Sequence, residues 1–297
     1  MAAVSKLSNA KATDLRLVFD ACRCWAGIYP GLGLFDGAGQ TTHMTVCLHK
    51  KLPEDMIAVR ALPGIQPVVG DWLRVDEAYC DQMALRRALL DERRNDVLMM
   101  SDAALPAAQE VLDLVLGKLR QFAFDVSNDH VTCPDGVSIA IDRAAPLATL
   151  GRIVQCDFCL HVKRDDQHVL DAAVLCFPAS WRLAEKIGRP LTAIHDPVPE
   201  YDAHLARRVQ RLFDGVRAGQ PLWRFNQLWY EDPALFQPRS VTAPRDVVAG
   251  RAAARFFRAE RQTILRLPNT GWIVFTIHNY VLRARDVPAA LHASGGG

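Results

Sequence analysis

The spacing of apolar residues divides the chain into helical and extended segments. Residues 77–93 and 105–123 repeat apolar positions every three or four residues, which predicts two amphipathic helices. Another helix is predicted from about Glu200 to Arg217, and residues 1–25 are interpreted as a helical lead-in. The apolar face of the helix after Glu200 comprises Leu205, Val209, Leu212, Phe213 and Val216.

Other segments alternate apolar and polar residues, which predicts β-strands. Residues 153–163 and 168–177 flank the polar tip Lys-Arg-Asp-Asp-Gln, and residues 222–230 alternate over their whole length. The turn sequence Pro-Asn-Thr-Gly at 268–271 separates RQTILRL from WIVFTIHNYV, which indicates an antiparallel hairpin. The fold class predicted from these segments is α+β, with antiparallel strands and helices on one side.

The segment from Cys176 to Tyr201 combines several local signals around one histidine. Ser180 is a natural N-cap for a helix over residues 181–187, and Gly188 suits the position after its end. His195 is followed by the proline-rich sequence Asp-Pro-Val-Pro, which stiffens the chain beside it. A histidine held in this way suits a metal or cofactor site.

Length and composition indicate one large domain. The chain has 297 residues, of which 50% are hydrophobic, and it contains no repeat and no long linker. We expect a single domain over residues 1–297, with a core at about 40–285 and tails at 1–25 and 286–297.

Charge and cysteine content exclude several classes of protein. A formal net charge of +2 argues against a nucleic-acid binder, and no apolar run approaches the ~18 residues of a membrane span. No secretory signal is present, so we expect a cytoplasmic protein with mostly reduced thiols. The lone pair Cys156 and Cys159 lies on a predicted strand, where the thiols would face opposite sides, which argues against a zinc site. The glycine-rich stretch 31–39 lacks the strand and helix of a dinucleotide site and is interpreted as a loop.

Several long peptides carry a resemblance to a known family. CFPASWRLAEKIGRPL, IHDPVPEY, RFFRAERQTILRLPNTG and IVFTIHNY resemble the α-subunit of the haem-dependent oxidative N-demethylase family. The likeness covers roughly residues 145–281 and extends more weakly upstream into WLRVDEAYCDQMALRRALL.

The resemblance implies a fold, a cofactor, a reaction and partners. It implies a PAS-like domain that binds haem b, and an NADPH-dependent oxidative demethylation of a small secondary amine, such as dimethylamine, by dioxygen. It also implies partner subunits that carry flavin, a 2Fe–2S cluster and tetrahydrofolate. This chain shows no flavin motif, NADPH fingerprint or four-cysteine cluster pattern, so its electrons are expected from a separate reductase.

A haem of this kind needs an axial ligand, and His195 is our candidate for it. His195 follows an apolar residue and precedes the rigid proline segment, which would fix the direction of its ring. His278, in the predicted strand WIVFTIHNYV, is the second candidate, and a hydrogen-bonded structural histidine is the alternative for either.

Arg224 is the candidate for the contact with dioxygen. In haem PAS sensors, which the chain resembles in outline, an arginine on the strand after the ligand helix donates to bound dioxygen. Arg224 lies on such a predicted strand, and Asn226, two residues on, would share its face. A surface ion pair is the alternative for Arg224.

Charged residues near these segments are candidates for the haem propionates and the amine. Arg258 and Arg261 have guanidinium groups that suit carboxylates, and Lys186 and Arg189 flank the expected ligand region. A protonated amine requires a carboxylate or an aromatic face. The candidates for binding it are Glu260, Tyr201, Trp223 and Trp229. Solvent-exposed or purely structural roles are the alternatives.

Two positions depart from what the resemblance implies. Cys156 stands where a glutamate is expected, and the histidine in TIHNY, His278, is also unexpected. If Cys156 helps to build the substrate pocket, the substrate or the activity could differ; if it is structural, little changes. The alternative functions are a non-catalytic haem sensor and a PAS-like domain that binds another small ligand.

Overall fold

The computed structural model describes residues 47–57, 64–195, 203–240 and 254–293, and the statements below concern these residues. The predicted lead-in at 1–25 and the predicted loop at 31–39 lie outside them. The helices are α1 (Tyr79–Glu92), α2 (Arg94–Val97), α3 (Leu105–Leu119), α4 (Pro146–Ile153), α5 (Leu191–His195), α6 (Ala203–Gly215) and α7 (Ala289–Ala293). The strands are β1 (Gln66–Pro67), β2 (Leu98–Met100), β3 (Asp125–Val126), β4 (His130–Thr132), β5 (Ser138–Ala140), β6 (Asp157–Arg164), β7 (Gln167–Val174), β8 (Leu222–Tyr230), β9 (Phe256–Arg266) and β10 (Ile273–Arg283).

Seven strands form one antiparallel sheet in the order β1-β8-β9-β10-β6-β7-β2. Its centre consists of the consecutive strands β6 to β10, and the chain between β7 and β8 contains α5 and α6. Strands β3, β4 and β5 form a separate small sheet. The predicted α+β class with an antiparallel sheet is confirmed, but the expectation of helices on one side is wrong, because helices pack on both faces of the large sheet.

Both faces of the large sheet carry apolar side chains, because successive residues of a strand point to opposite sides. On one side Leu160, Val174 and Val274 pack with the apolar faces of α1, α3 and α4; we call it the α4 face. On the other side Cys159 and Phe275 pack against the segments that contain α5 and α6; we call it the α5 face.

The approach of α4 to the sheet depends on a glycine. A Cβ atom on Gly151 would lie 2.8 Å from Val174 Cγ2 and 2.9 Å from Leu90 Cδ1. Real Cβ atoms do not come this close to a neighbour, so glycine allows the helix to pack tightly on the α4 face.

The segment after β7 differs from its prediction. The expected helix over residues 181–187 is wrong, because only a short 3-10 helix, Leu183–Glu185, forms there. Ser180 is not an N-cap; it has a φ of 65°, and its N–H donates to the carbonyl of Gln237. Gly188 has a φ of 75°, as its predicted left-handed position requires.

The described cysteines include both thiols and a disulfide, and the expected reduced state stays a prediction. Cys133, Cys156, Cys159 and Cys176 are buried free thiols, Cys47 is also buried, and Cys80 is disulfide-bonded. Within the described ranges no helix combines the length and the apolar character that crossing a membrane requires.

Candidate functional site

A row of polar side chains crosses three strands on the α5 face. Asn226 on β8 and Asn279 on β10 are both register partners of Glu260 on β9, so the three side chains share one face. Arg224 and its partner Gln262 form the next row on the same face. The sheet therefore brings together three of the residues predicted from the sequence: Arg224, Asn226 and Glu260.

Two donors in this patch lack a partner. Arg224 Nε and Asn279 Nδ2 are buried and have no hydrogen-bond acceptor among the described residues. Burial lowers the pKa of Arg224, and the charge of Glu260 opposes that effect. Because an unsatisfied buried donor costs about 1–3 kcal/mol, such atoms indicate a place where a ligand or water completes the site.

Glu260 supplies the negative charge of the patch. Its side chain is almost fully buried, and Gln262 Nε2 donates to its Oε2 atom over 3.2 Å. Arg258 Nη2 lies 3.4 Å from Glu260 Oε1. A buried carboxylate held by neighbours on its own strand is suited to binding a cation in a fixed position.

Arg258 is buried and is engaged by the chain itself. Its Nε donates to Asn279 Oδ1 over 3.0 Å, its Nη1 to the carbonyl of Leu235 over 3.1 Å, and its Nη2 to the carbonyl of Phe177 over 2.5 Å. Its guanidinium group therefore joins β9 to two loop segments, and these internal acceptors occupy the donors that a propionate would need.

Arg261 lies on the α4 face, because it follows Glu260 by one residue in the same strand. Its Cζ atom lies 3.9 Å from the centre of the Trp223 ring. The structure thus separates Arg261 and Trp223 from Glu260. Trp229 packs edge-on against Phe257. It lies an even number of residues from Trp223 in the same strand, so its side chain is also directed away from Glu260.

The two basic residues predicted beside the ligand region have different surroundings. Lys186 Nζ lies 4.6 Å from the centre of the Trp181 ring, and burial lowers the pKa of Lys186. The side chain of Arg189 is exposed. Neither residue has a contact with Glu260 or Arg224 that would place it in the polar patch.

His195 is the last residue of α5, in which Ile194 belongs to the apolar cluster on the α5 face. The backbone of the predicted ligand therefore lies in the layer that covers this face. The side chain of His195 and the whole of Tyr201 lie outside the described part of the chain. Their predicted roles stay predictions.

A cleft of about 330 Å³ lies along α6. Its apolar lining consists of Ile65, Leu205, Val209 and Leu212, and two arginines, Arg208 and Arg211, complete it. Apolar walls with nearby guanidinium groups suit a flat apolar ligand that carries carboxylate tails. Arg208 and Arg211 were not predicted as site residues, because helical periodicity does not show what lies beside a helix.

His278 is not free to bind a haem iron, because both of its ring nitrogens have partners on the α4 face. Its Nε2 lies 2.7 Å from Asp76 Oδ2, and its Nδ1 lies 3.6 Å from Cys156 Sγ. His49 Nε2 lies 3.1 Å from the same Asp76 oxygen. Burial lowers the pKa of His278 and raises the pKa of Cys156 to about 12, so both are neutral near pH 7.

This network was not predicted from the sequence, since its members are distant along the chain. It joins Cys156 and His278, the two positions that depart from the resemblance, and it lies on the face opposite Arg224 and Glu260. Within the described ranges no three or more His, Cys, Asp or Glu side chains gather in a way that could hold a metal ion.

One comparison with known proteins bears on the site. A family model described as "Haem-dependent oxidative N-demethylase, alpha subunit-like" matches residues 64–294. The match includes all ten strands that the described residues form and therefore both faces of the large sheet.

Proposed function

The chain belongs to the family of haem-dependent oxidative N-demethylase, alpha subunit-like proteins, and we propose that it oxidises a small secondary amine with dioxygen at a haem on the α5 face. The family description indicates a haem-dependent oxidoreductase of the N-demethylase type and a subunit of a larger enzyme. The observation that carries the choice of face is the pair of unsatisfied buried donors, Arg224 Nε and Asn279 Nδ2, beside the carboxylate of Glu260.

The residues on this face fit a haem of the b type. The apolar cluster formed by Leu191, Phe213, Ile264 and Ile273 offers the dry surroundings that a porphyrin needs. We propose that His195 would bind the haem iron, because α5 packs on this face. Arg208 and Arg211, beside the cleft at α6, are better placed for the propionates than Arg258, whose donors are occupied, or Arg261, which lies on the other face.

When bound, the haem would supply the redox chemistry with dioxygen. The chain's own residues would bind and orient the substrate. Glu260 would hold the protonated amine through its charge, and Gln262 would fix the carboxylate. Arg224 would provide a cationic donor where negative charge develops during the reaction, a contribution that is strongest in a site shielded from water.

The partners follow from the same proposal. Electrons would come from a separate NADPH reductase subunit with flavin and a 2Fe–2S cluster, and a tetrahydrofolate-binding subunit would accept the formaldehyde released. The PAS-like character of the domain is supported by the antiparallel sheet with helices over one ligand face. The cytoplasmic location stays a prediction.

The test combines a visible spectrum with oxygen consumption. We expect the purified protein to show a Soret band, and we expect oxygen uptake with a chemical reductant to depend on dimethylamine. Glu260→Gln should raise the KM for the amine more than it lowers kcat, because it removes a charge that binds substrate. Arg224→Ala should lower kcat. Arg285→Gln is the matched control, since this arginine has a side chain that is 79% exposed.

Each contrary outcome has a distinct meaning. A protein without a Soret band after incubation with haem would refute the haem site. Strong haem absorption without amine-dependent oxygen uptake, also when the reductase subunits are supplied, would favour the sensor. Loss of haem in Arg285→Gln equal to that in His195→Ala would remove the argument for His195.

A further inference from the structure

Five unsatisfied polar atoms lie in one region of the α4 face, away from the proposed haem face. They are Arg261 Nε, Arg261 Nη1, Arg74 Nε, Gln66 Nε2 and Asp55 Oδ1. Each is buried and has no hydrogen-bond partner among the described residues. Since buried polar atoms in folded proteins are nearly always satisfied, their concentration in one place indicates a missing group.

Contacts and strand register place the residues that carry these atoms around Trp223. Arg261 is stacked over the Trp223 ring at 3.9 Å, and its Nη2 lies 3.9 Å from Asp55 Oδ2. Asp55 Oδ2 is also 3.0 Å from Arg74 Nη2. Gln66 is the register partner of Trp223, so its side chain leaves the sheet on the same face.

The charges in this region do not balance. Arg261 and Arg74 face one carboxylate, that of Asp55, and the nearby Asp76 is already engaged by two histidines. Burial, and then the charge of Arg74, lower the pKa of Arg261 to about 10. A buried guanidinium group with two free nitrogen donors and a second cation beside it lacks an anion.

We propose that these residues form an anion-binding site for a small oxyanion that also carries a hydrogen-bond donor. Arg261, Arg74 and Gln66 would donate to its oxygens, and the free oxygen of Asp55 would accept from its hydroxyl or ammonium group. Trp223 forms the flat wall under Arg261. An α-hydroxy or α-amino carboxylate has this chemistry, and so does hydrogen phosphate.

The site is separate from the one proposed for haem. Trp223 and Phe225 flank Arg224 in β8, so their side chains leave the sheet on the opposite face. Arg261 is the register partner of Phe225 and of His278, which belongs to the network of Asp76 and Cys156. A ligand here would contact the sheet directly behind the row of Glu260 without sharing its residues.

The experiment measures binding of matched anions to the full chain by calorimetry and by thermal unfolding, with the haem spectrum recorded for each sample. Glycolate, glycine and phosphate are compared with acetate, which lacks the donor, and with sodium chloride at equal ionic strength. We expect saturable binding of at least one of the first three, about ten-fold tighter than acetate, because one hydrogen bond to a charged group distinguishes them. The anion that binds identifies the class of ligand: glycolate indicates an α-hydroxy carboxylate, glycine an α-amino carboxylate and phosphate an inorganic phosphate.

Three variants assign the effect to the site. Arg261→Gln should abolish binding, Asp55→Asn should remove the preference over acetate, and Arg285→Gln should leave both unchanged. If Arg261→Gln does not fold, Gln66→Leu replaces it, and we expect a weakening of about ten-fold from the loss of one donor.

Two results would overturn the proposal. One is the absence of saturable binding by all three anions, which would mean that water alone satisfies these atoms. The other is equal stabilisation of the wild type and Arg261→Gln, which would mark a general salt effect. Neither result depends on amine turnover or on a Soret band, so this proposal and the proposed function can fail independently.

Discussion

Replacing Asp157 with asparagine should destabilise the protein severely, because Asp157 forms a fully buried ion pair. Its Oδ1 accepts from Arg86 Nη1 over 2.6 Å, and both side chains are 0% exposed. Asp157 also accepts from the N–H groups of Cys176 over 2.7 Å and of Phe177 over 3.1 Å. The carboxylate therefore holds the start of the segment that leads to α5 and the proposed haem ligand.

The size of the loss in unfolding free energy depends on Arg86, which stays buried after Asp157 is replaced. Arg86 is also bound to the carbonyls of Gly151, Gln155 and Cys156, so it cannot leave the interior without breaking these bonds. Removing one partner of a buried pair costs about 3–5 kcal/mol, because a buried charge is left uncompensated. Total stabilities are about 5–15 kcal/mol, so this loss would be a large share of the whole. For a domain of this size the melting temperature should fall by roughly 6–20 °C.

Urea unfolding followed by circular dichroism measures this loss as a change in the free energy of unfolding. Asp96→Asn is the matched control, because Asp96 pairs with Arg93 at the surface and its side chain is 48% exposed. The control should change stability by less than about 0.5 kcal/mol. A loss below about 1 kcal/mol in Asp157→Asn would refute the reasoning, as would an equal loss in both variants.

Three further predictions concern packing, backbone conformation and pH. Gly151→Ala should cost about 1–3 kcal/mol in urea unfolding, because its Cβ would meet Val174 at 2.8 Å; no change would show that α4 can move outward. Gly271→Ala, with a φ of 72° but no atom within 4 Å of the added Cβ, should cost only about 1–2 kcal/mol from the backbone, and a larger loss would contradict an open site. Burial lowers the pKa of His278, so the neutral ring contributes to stability above the ordinary histidine value of about 6.5, and this contribution is lost as the pH falls below that value through the lower pKa of the folded state. His278→Asn should flatten that loss in unfolding measured between pH 5 and 8. Burial acts to lower the pKa of His49, but Asp76 raises it overall, so the contribution of His49 to stability is lost as the pH rises. His49→Asn should therefore make the fall of stability at acid pH steeper. Equal dependence of stability on pH in the two variants would contradict these assignments.

Local patterns were sufficient to predict most of the sheet. The alternation over residues 222–230 predicted β8 with its observed bounds, and the two hairpins formed around their predicted turns. These elements depend on neighbours in sequence, and the alternation or turn residues that predicted them are local. Helices α1 and α3 were predicted for the same reason, since their apolar stripes face the α4 face.

The segment after Phe177 could not be predicted in this way. Its composition favours a helix, but Ser180 donates its N–H to Gln237, which lies far along the chain, and Ala179 bridges to the same residue. Trp181 and Ile187 pack with the apolar cluster on the α5 face. Tertiary contacts thus outweigh local propensity here, as they often do in short segments.

Part of the candidate site could be predicted from the alternation of side chains along each strand. Arg224 and Asn226 were assigned to one face of β8, and the structure places both there with Glu260. The same parity applied to β9 would have separated Glu260 from Arg261. The register between strands, which brings Asn279 beside Glu260, depends on pairing that no single segment specifies.

Cys156 and His278, the two positions that depart from the stated resemblance, meet on the α4 face, and this bears on the proposed substrate. Cys156 Sγ lies 3.6 Å from His278 Nδ1, and both side chains are buried behind the sheet as seen from Glu260. A carboxylate at position 156 would add a second negative charge near Asp76, whereas a neutral thiol leaves Asp76 as the partner of the two histidines. Such an exchange would therefore alter the support of the sheet and the neighbourhood of Arg261, and it would leave the row of Arg224 and Glu260 unchanged. Differences in amine specificity should then come from side chains on the α5 face, so Cys156→Glu should change stability or anion binding before it changes the KM for the amine.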